Sequence, residues 1–197
     1  MMMPNSFNDI AKYECRYFSI EQRFGMEPET VVLAIHGGPI ERRTDLIASC
    51  IAGKEFSYYA LIGKMSDDNK KYLHIASGKF DEPRAIEMVK AAKRVISIHG
   101  EGNTKKEYVM LGGLDCELKC RITKALEEEK FTIKDPPKHL KATGNKNICN
   151  RGLSRAGVQL EISKKLRDAL SKEPDQLKKF VRAIRGVLIV SGTDDVA

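Results

Sequence analysis

Three residues of this chain have the types and placing that hold a catalytic metal ion: His36, Glu41 and His99. His36 ends the apolar run Val31–Ile35. Gly37, Gly38 and Pro39 then turn the chain, and Glu41 stands one loop later. The run Arg94–Ile98 delivers His99 to Gly100 in the same way. Two imidazoles and one carboxylate form a known zinc set in which the remaining position is left to water. Water held there ionises near neutral pH and becomes a nucleophile. The step from His36 to Glu41 is not a standard zinc spacing. A single histidine would read as a packed or surface imidazole; two strand ends that both finish in His-Gly point to a metal.

Such chemistry needs a base, and Glu161 has a suitable setting between Leu160 and Ile162. A carboxylate aimed into a cleft from apolar surroundings has its pKa raised, which suits a group that accepts and then returns a proton. On the polar side of an edge strand it would be a plain surface charge. Asn150, Arg151 and Arg155 come just before it. A guanidinium can grip a carboxylate through two parallel hydrogen bonds or stabilise charge developing on a carbonyl oxygen. Arg43 adds positive charge beside Glu41, and Arg42 reads as a solvated charge. His74 can be a ligand, a support for a ligand, a donor to substrate or a structural histidine. His139, in a basic loop, reads as a solvated side chain.

Rigid strand ends hold ligands better than mobile loops, and open α/β sheets place their sites at the carboxyl ends of strands. Val31–Ile35 and Val95–Ile98 have the length and β-branched content of buried strands. Further strands are expected at Tyr13–Ile20, Phe56–Ile62, Tyr72–Ala76, Tyr108–Leu111, Phe131–Ile133, Gly157–Ile162 and Val187–Val190, with a loop over 21–30. Helices are expected from Thr44 to Ala52, from Asp81-Glu82-Pro83 onward, over Asp115–Glu128 and Ser163–Ser171, and from Pro174 to Ile184. Lys134–Ile148 is a long basic loop of the kind that carries function. Strands alternating with helices predict α/β, with helices on both sides of a mixed sheet.

The length of 197 residues suits a single domain, 1–197, with residues 1–11 and 191–197 as loose termini. Hydrophobic content of 42% and charged content of 31% are ordinary for a globular protein. No apolar run is long enough to span a membrane, and no apolar signal core follows Met1, so cytoplasmic synthesis is expected. The five cysteines, without a CxxC, read as free and mostly buried thiols in a reducing compartment. A net charge of +7 favours a polyanionic partner, and serves solubility equally well.

Taken in order, IHGGPIE (35–41), LHIAS (73–77), FDEP (80–83), VISIHG (95–100), YVMLGG (108–113), NICNRG (147–152) and GVQLEIS (157–163) resemble the poly-γ-glutamate hydrolase family of phages and bacilli. The likeness spans Tyr13 to Leu170. It implies a single-domain, carboxypeptidase-like, three-layer α/β/α fold with a mostly parallel sheet. It also implies one Zn2+ per chain and cleavage of γ-glutamyl amide bonds in the polymer. By that resemblance His36, Glu41 and His99 are the zinc ligands and Glu161 the general base. Asn150 and Arg151 bind a substrate carboxylate or carbonyl oxygen, and His74 falls on a family motif. The chain departs from the pattern in two places. It has IERRT where IEPGT is expected, and Leu153-Ser154-Arg155-Ala156 where a Gly-rich run is expected.

The expected enzyme is therefore a zinc-dependent γ-glutamyl amide hydrolase. Arg151 would stabilise the oxyanion, and Arg43, Arg155, Asn150 and His74 would bind substrate. Another peptide or cell-wall γ-glutamyl bond is the alternative substrate. A non-catalytic nucleic-acid-binding protein is the alternative class. It is disfavoured because aromatics are only 7% and do not interleave with the basic clusters, and no helix-turn-helix or zinc-finger signature appears. Without a signal peptide, release by lysis is one route to an extracellular polymer.

Overall fold

The apolar run at Val31–Ile35 becomes the middle of a long strand, and the sheet grows from it on both sides. In the computed structural model, which describes residues 3–190, the order is β1 (Phe18–Arg23), β2 (Glu27–Gly37), α1 (Thr44–Ala52), β3 (Phe56–Gly63), α2 (Asn69–Leu73), α3 (Pro83–Ala91), β4 (Arg94–Glu101), β5 (Val109–Gly112), α4 (Cys116–Glu128), β6 (Ile133–Lys134), β7 (Val158–Ser163), α5 (Lys164–Lys172) and α6 (Pro174–Val190). One sheet runs β1-β3-β2-β4-β7-β5-β6. Its four central strands, β3, β2, β4 and β7, are parallel. β1 runs antiparallel to β3, and β5 antiparallel to β7.

Both faces of the sheet are covered, which is why the central strands read as near-continuous apolar runs. On one face Ile47 and Ile51 of α1, Ile122 of α4 and Phe180 and Ile184 of α6 meet Val32, Ile96 and Val158. On the other, Val89 of α3 joins Leu73, Phe80 and Ile148 against Val31, Leu33 and Val95. The result is the expected three-layer α/β/α unit with a mixed, mostly parallel sheet. Local signals start the helices as expected: Glu82 caps α3 ahead of Pro83, and the Ser163 hydroxyl caps α5. Arg43, one residue before α1, sits at φ 73, a conformation that favours glycine.

Several expected elements are corrected. Residues 72–76 are not a strand. Asn69 braces the preceding turn through both its amide atoms on Met65, α2 forms over Asn69–Leu73, and the chain leaves it with His74 extended. Val187–Val190 continues α6, because Phe180, Ile184 and Leu188 recur every four residues on one buried face. Residues 21–30 are mostly strand, since β1 runs to Arg23 and β2 begins at Glu27. Of the lead-in, Ile10 is buried between two 3-10 turns, and Phe7 packs edge-on to Phe18. The expectation for 191–197 lies outside the described residues. The five cysteines are free thiols, but Cys15, Cys116 and Cys120 are exposed. No helix among the described residues is long and apolar enough to cross a membrane.

Candidate metal centre and cleft

β2, β4 and β7 bring their carboxyl ends to one place. β4 and β7 pair in register, with His99 beside Glu161 and Ser97 beside Gln159, so these four side chains share one face. His36 leaves β2 where its register with β3 shifts. The loop after it is tightly tied. Glu41 N–H donates to the His36 carbonyl at 2.9 Å, and the Thr44 hydroxyl lies 3.2 Å from that carbonyl and 2.9 Å from the carbonyl of Glu41. Gly100 N–H then donates to Glu41 Oε2 at 2.8 Å, fixing the carboxylate between the two strand ends.

Four side chains converge on each other here. His36 Nδ1 lies 3.2 Å and His74 Nε2 3.5 Å from Glu41 Oε1, and His99 Nδ1 lies 3.5 Å from Oε2. His36 Nε2 donates to the Ile75 carbonyl at 2.8 Å, so the neutral ring presents an unprotonated Nδ1. That nitrogen is buried without a hydrogen bond and faces a carboxylate oxygen. Two lone pairs pointed at each other in a buried site are what a cation reconciles. His36, Glu41 and His74 offer ligand atoms that all lie within 4.8 Å of one another. His99 stands on the other carboxylate oxygen, its ring edge-on to His36 at 5.0 Å. His74 instead stacks flat on His36 at 3.9 Å.

The electrostatics of Glu41 and His36 suit metal ligands. Burial pushes the Glu41 carboxyl up, but the imidazoles around it outweigh burial and hold it well below the usual carboxylate range. Burial lowers His36 against the pull of Glu41, keeping it neutral as a ligand must be. Burial also works to lower His99, but Glu41 and Glu161 raise it. Glu161 is the contrasting carboxyl. Burial raises it to about 7 in spite of His99. Gln159 Nε2 donates to Glu161 Oε1 at 2.8 Å, and Gln159 Oε1 accepts from Asn147 Nδ2 at 2.9 Å. Gln159 was not singled out from the sequence, although strand alternation puts it on the same face as Glu161. Asn147 was missed because nothing in its neighbours shows where it folds.

The cleft has a volume of about 500 Å³ and is lined by His36, Glu41, His74, His99 and Glu161, with Ser77, Asn147 and Gln159 beside them. Lys70 and His139 also line it, and Lys70 is its one Lys or Arg. Four expected binding residues stand elsewhere. Asn150 is buried and fully engaged. Its Nδ2 donates to the carbonyls of Ala142 and Gly144, while its Oδ1 accepts from Leu114 and Gly157 N–H. The Arg151 guanidinium donates to the carbonyls of Lys146 and Phe80 at 2.7 and 2.8 Å and points to that of Ser77 at 3.4 Å. Arg155 is exposed on the far side of that loop. Arg43 pairs with Asp168, outside the cleft lining.

A mostly parallel α/β sheet with a His–Glu–His cluster able to hold a metal ion beside its strand ends makes the chain an α/β protein with a candidate metal centre. The chain belongs to the poly-γ-glutamate hydrolase family, whose profile matches residues 5–183. It is 34% identical over 140 residues to the SPbeta prophage-derived protein YoqZ of Bacillus subtilis (strain 168), covering 70% of this chain. The chain spans 50% of the length of YoqZ. Its fold matches a structure of a bacteriophage poly-γ-glutamate hydrolase with a TM-score of 0.89 at 24% identity, over 98% of this chain and 99% of the other. A zinc-free apo structure of YndL matches with a TM-score of 0.83 at 26% identity, over 95% and 98%.

Proposed function

We propose that the cleft holds one zinc ion on His36, Glu41 and His99 and hydrolyses γ-glutamyl amide bonds of poly-γ-glutamate. The observation that carries the ligand set is the anchoring of the far ring nitrogens. His36 Nε2 donates to Ile75 O and His99 Nε2 lies 2.8 Å from the Ser97 hydroxyl, so both rings turn Nδ1 toward Glu41. Metal-bound histidines carry such an outer partner. The second nitrogen of His74 is buried without one, which supports a substrate role for that residue over a ligand role, although its ligand atom lies close enough to join the metal group. The description of the YndL structure as zinc-free supports zinc as the metal.

Bound zinc would supply an acidified water and polarise the scissile carbonyl. Glu161, held by Gln159 and raised by burial, takes the water's proton and returns it to the leaving amine. Lys70 meets the substrate's α-carboxylate, the role expected of arginines that the fold puts elsewhere. The oxyanion role expected of Arg151 finds no support, because its side chain lines the neighbouring recess and not the cleft. Other γ-glutamyl or peptide amides remain the alternative substrates.

Zinc content and turnover of three variants test this reading. Glu161→Gln is expected to keep zinc and lose about 10²–10⁴-fold in turnover. His99→Ala is expected to lose zinc and His74→Ala to keep it. Zinc lost with His74 and kept without His99 would move the third ligand to His74.

A further inference from the structure

The run Asn150–Arg155, expected beside the metal, instead builds a second basic surface. Lys90, Lys146, Arg151 and Arg155 line a recess of about 760 Å³ over Gly152 and Leu153, and among the described residues no acidic side chain lines it. Among the described residues none of the four is in an ion pair. Asp81, the carboxylate whose charge Arg151 feels, lines no part of the recess and accepts the Phe7 N–H. Arg151 is a fixed cation, its guanidinium clamped by the carbonyls of Lys146 and Phe80, with other guanidinium hydrogens left open. Lys90, Lys146 and Arg155 are exposed around it.

One loop separates this recess from the cleft. Ser77 turns its carbonyl to Arg151 and its hydroxyl to His99, and Asn147 lines the cleft while Lys146 lines the recess. We propose that the recess is a second binding site for a polycarboxylate chain. It engages α-carboxylates of γ-linked residues that lie beyond those in the cleft. The identity of the polymer rests on the reading of the cleft given above.

The chemistry matches in kind. Each γ-linked glutamate leaves its α-carboxylate free, so the polymer presents a row of separate anions. Arginine takes a carboxylate through paired hydrogen bonds, and lysines act as point charges. The cleft itself offers only Lys70, so a long polyanion finds its further cations here. Single-stranded nucleic acid would be expected to stack on aromatic rings, and none lines the recess.

The test uses Lys90→Gln, Lys146→Gln and Arg155→Gln combined in the full chain, with folding checked by circular dichroism. In a Glu161→Gln background, the Kd of long poly-γ-glutamate is measured by calorimetry at low and high salt. The triple variant is expected to bind the polymer about tenfold more weakly or worse, since engagement of a second site is lost, and with a flatter salt dependence. A γ-glutamyl dimer, too short to leave the cleft, is expected to be cleaved by the otherwise unaltered triple variant at the rate of the parent. Unchanged polymer affinity would overturn the proposal, as would tighter binding of single-stranded DNA than of poly-γ-glutamate through these three residues. If the parent fails to cleave the polymer yet binds it through them, the cleft reading falls and the recess stands.

Discussion

Burial raises the Glu161 carboxyl to about 7, and that has a cost visible without substrate. In the metal-free protein the folded state holds this proton at pH values where the unfolded chain, near 4.5, has released it. Stability from this group is full below about pH 4.5 and falls as pH rises through 7. A shift of this size is worth roughly 3 kcal/mol. In chelator, Glu161→Gln is expected to melt above the parent at about pH 8 and level with it at about pH 4. The same gain at both pH values would contradict the buried carboxyl. Lys70 makes a second prediction at this scale. Lys70→Met is expected to raise KM several-fold, up to about tenfold, for substrates with a free α-carboxylate, and to leave an α-amide analogue unaffected. Equal losses on both would remove Lys70 as the carboxylate partner. Glu161 stood out in the sequence because it sits between Leu160 and Ile162, and the fold buries it at the cleft. Arg151 was misleading because residue type does not reveal which carbonyls a folded guanidinium meets.

The strand ends are held together by a residue that sequence reasoning did not single out. Arg167 of α5 is buried and donates to the carbonyls of Ile162 at 3.0 Å, Glu101 at 3.0 Å and Arg42. It thereby ties β7, β4 and the loop carrying Glu41 into one block. Gly100 makes room for it, since a Cβ there would come within 2.6 Å of the guanidinium carbon. Arg167→Met leaves three carbonyls short of a charged donor. It is expected to cost about 2–4 kcal/mol, read as an earlier urea midpoint, and to weaken zinc retention. A variant as stable as the parent would show the block holds without it. The parallel core was readable from β2 and β4, because doubly covered strands are apolar throughout. α2 and the end of α6 were not. There the local pattern suited a strand, and the decision lay in tertiary contacts, the Asn69 brace and the packing of Leu188 beside Phe180 and Ile184.

At the scale of the molecule the net charge of +7 is divided. The cleft carries one lysine, and four further cations gather across a single loop from it. Hydrolysis of long polymer should therefore fall with ionic strength more steeply than hydrolysis of a dimer, because screening acts most on exposed charges. The metal is the central claim, and one sample tests it most directly: zinc per chain in protein purified without chelator, with shortening of poly-γ-glutamate followed before and after chelation. About one zinc per chain and chelator-sensitive shortening are the predicted result. No zinc retained even after zinc is added back, or shortening indifferent to chelator, would contradict it.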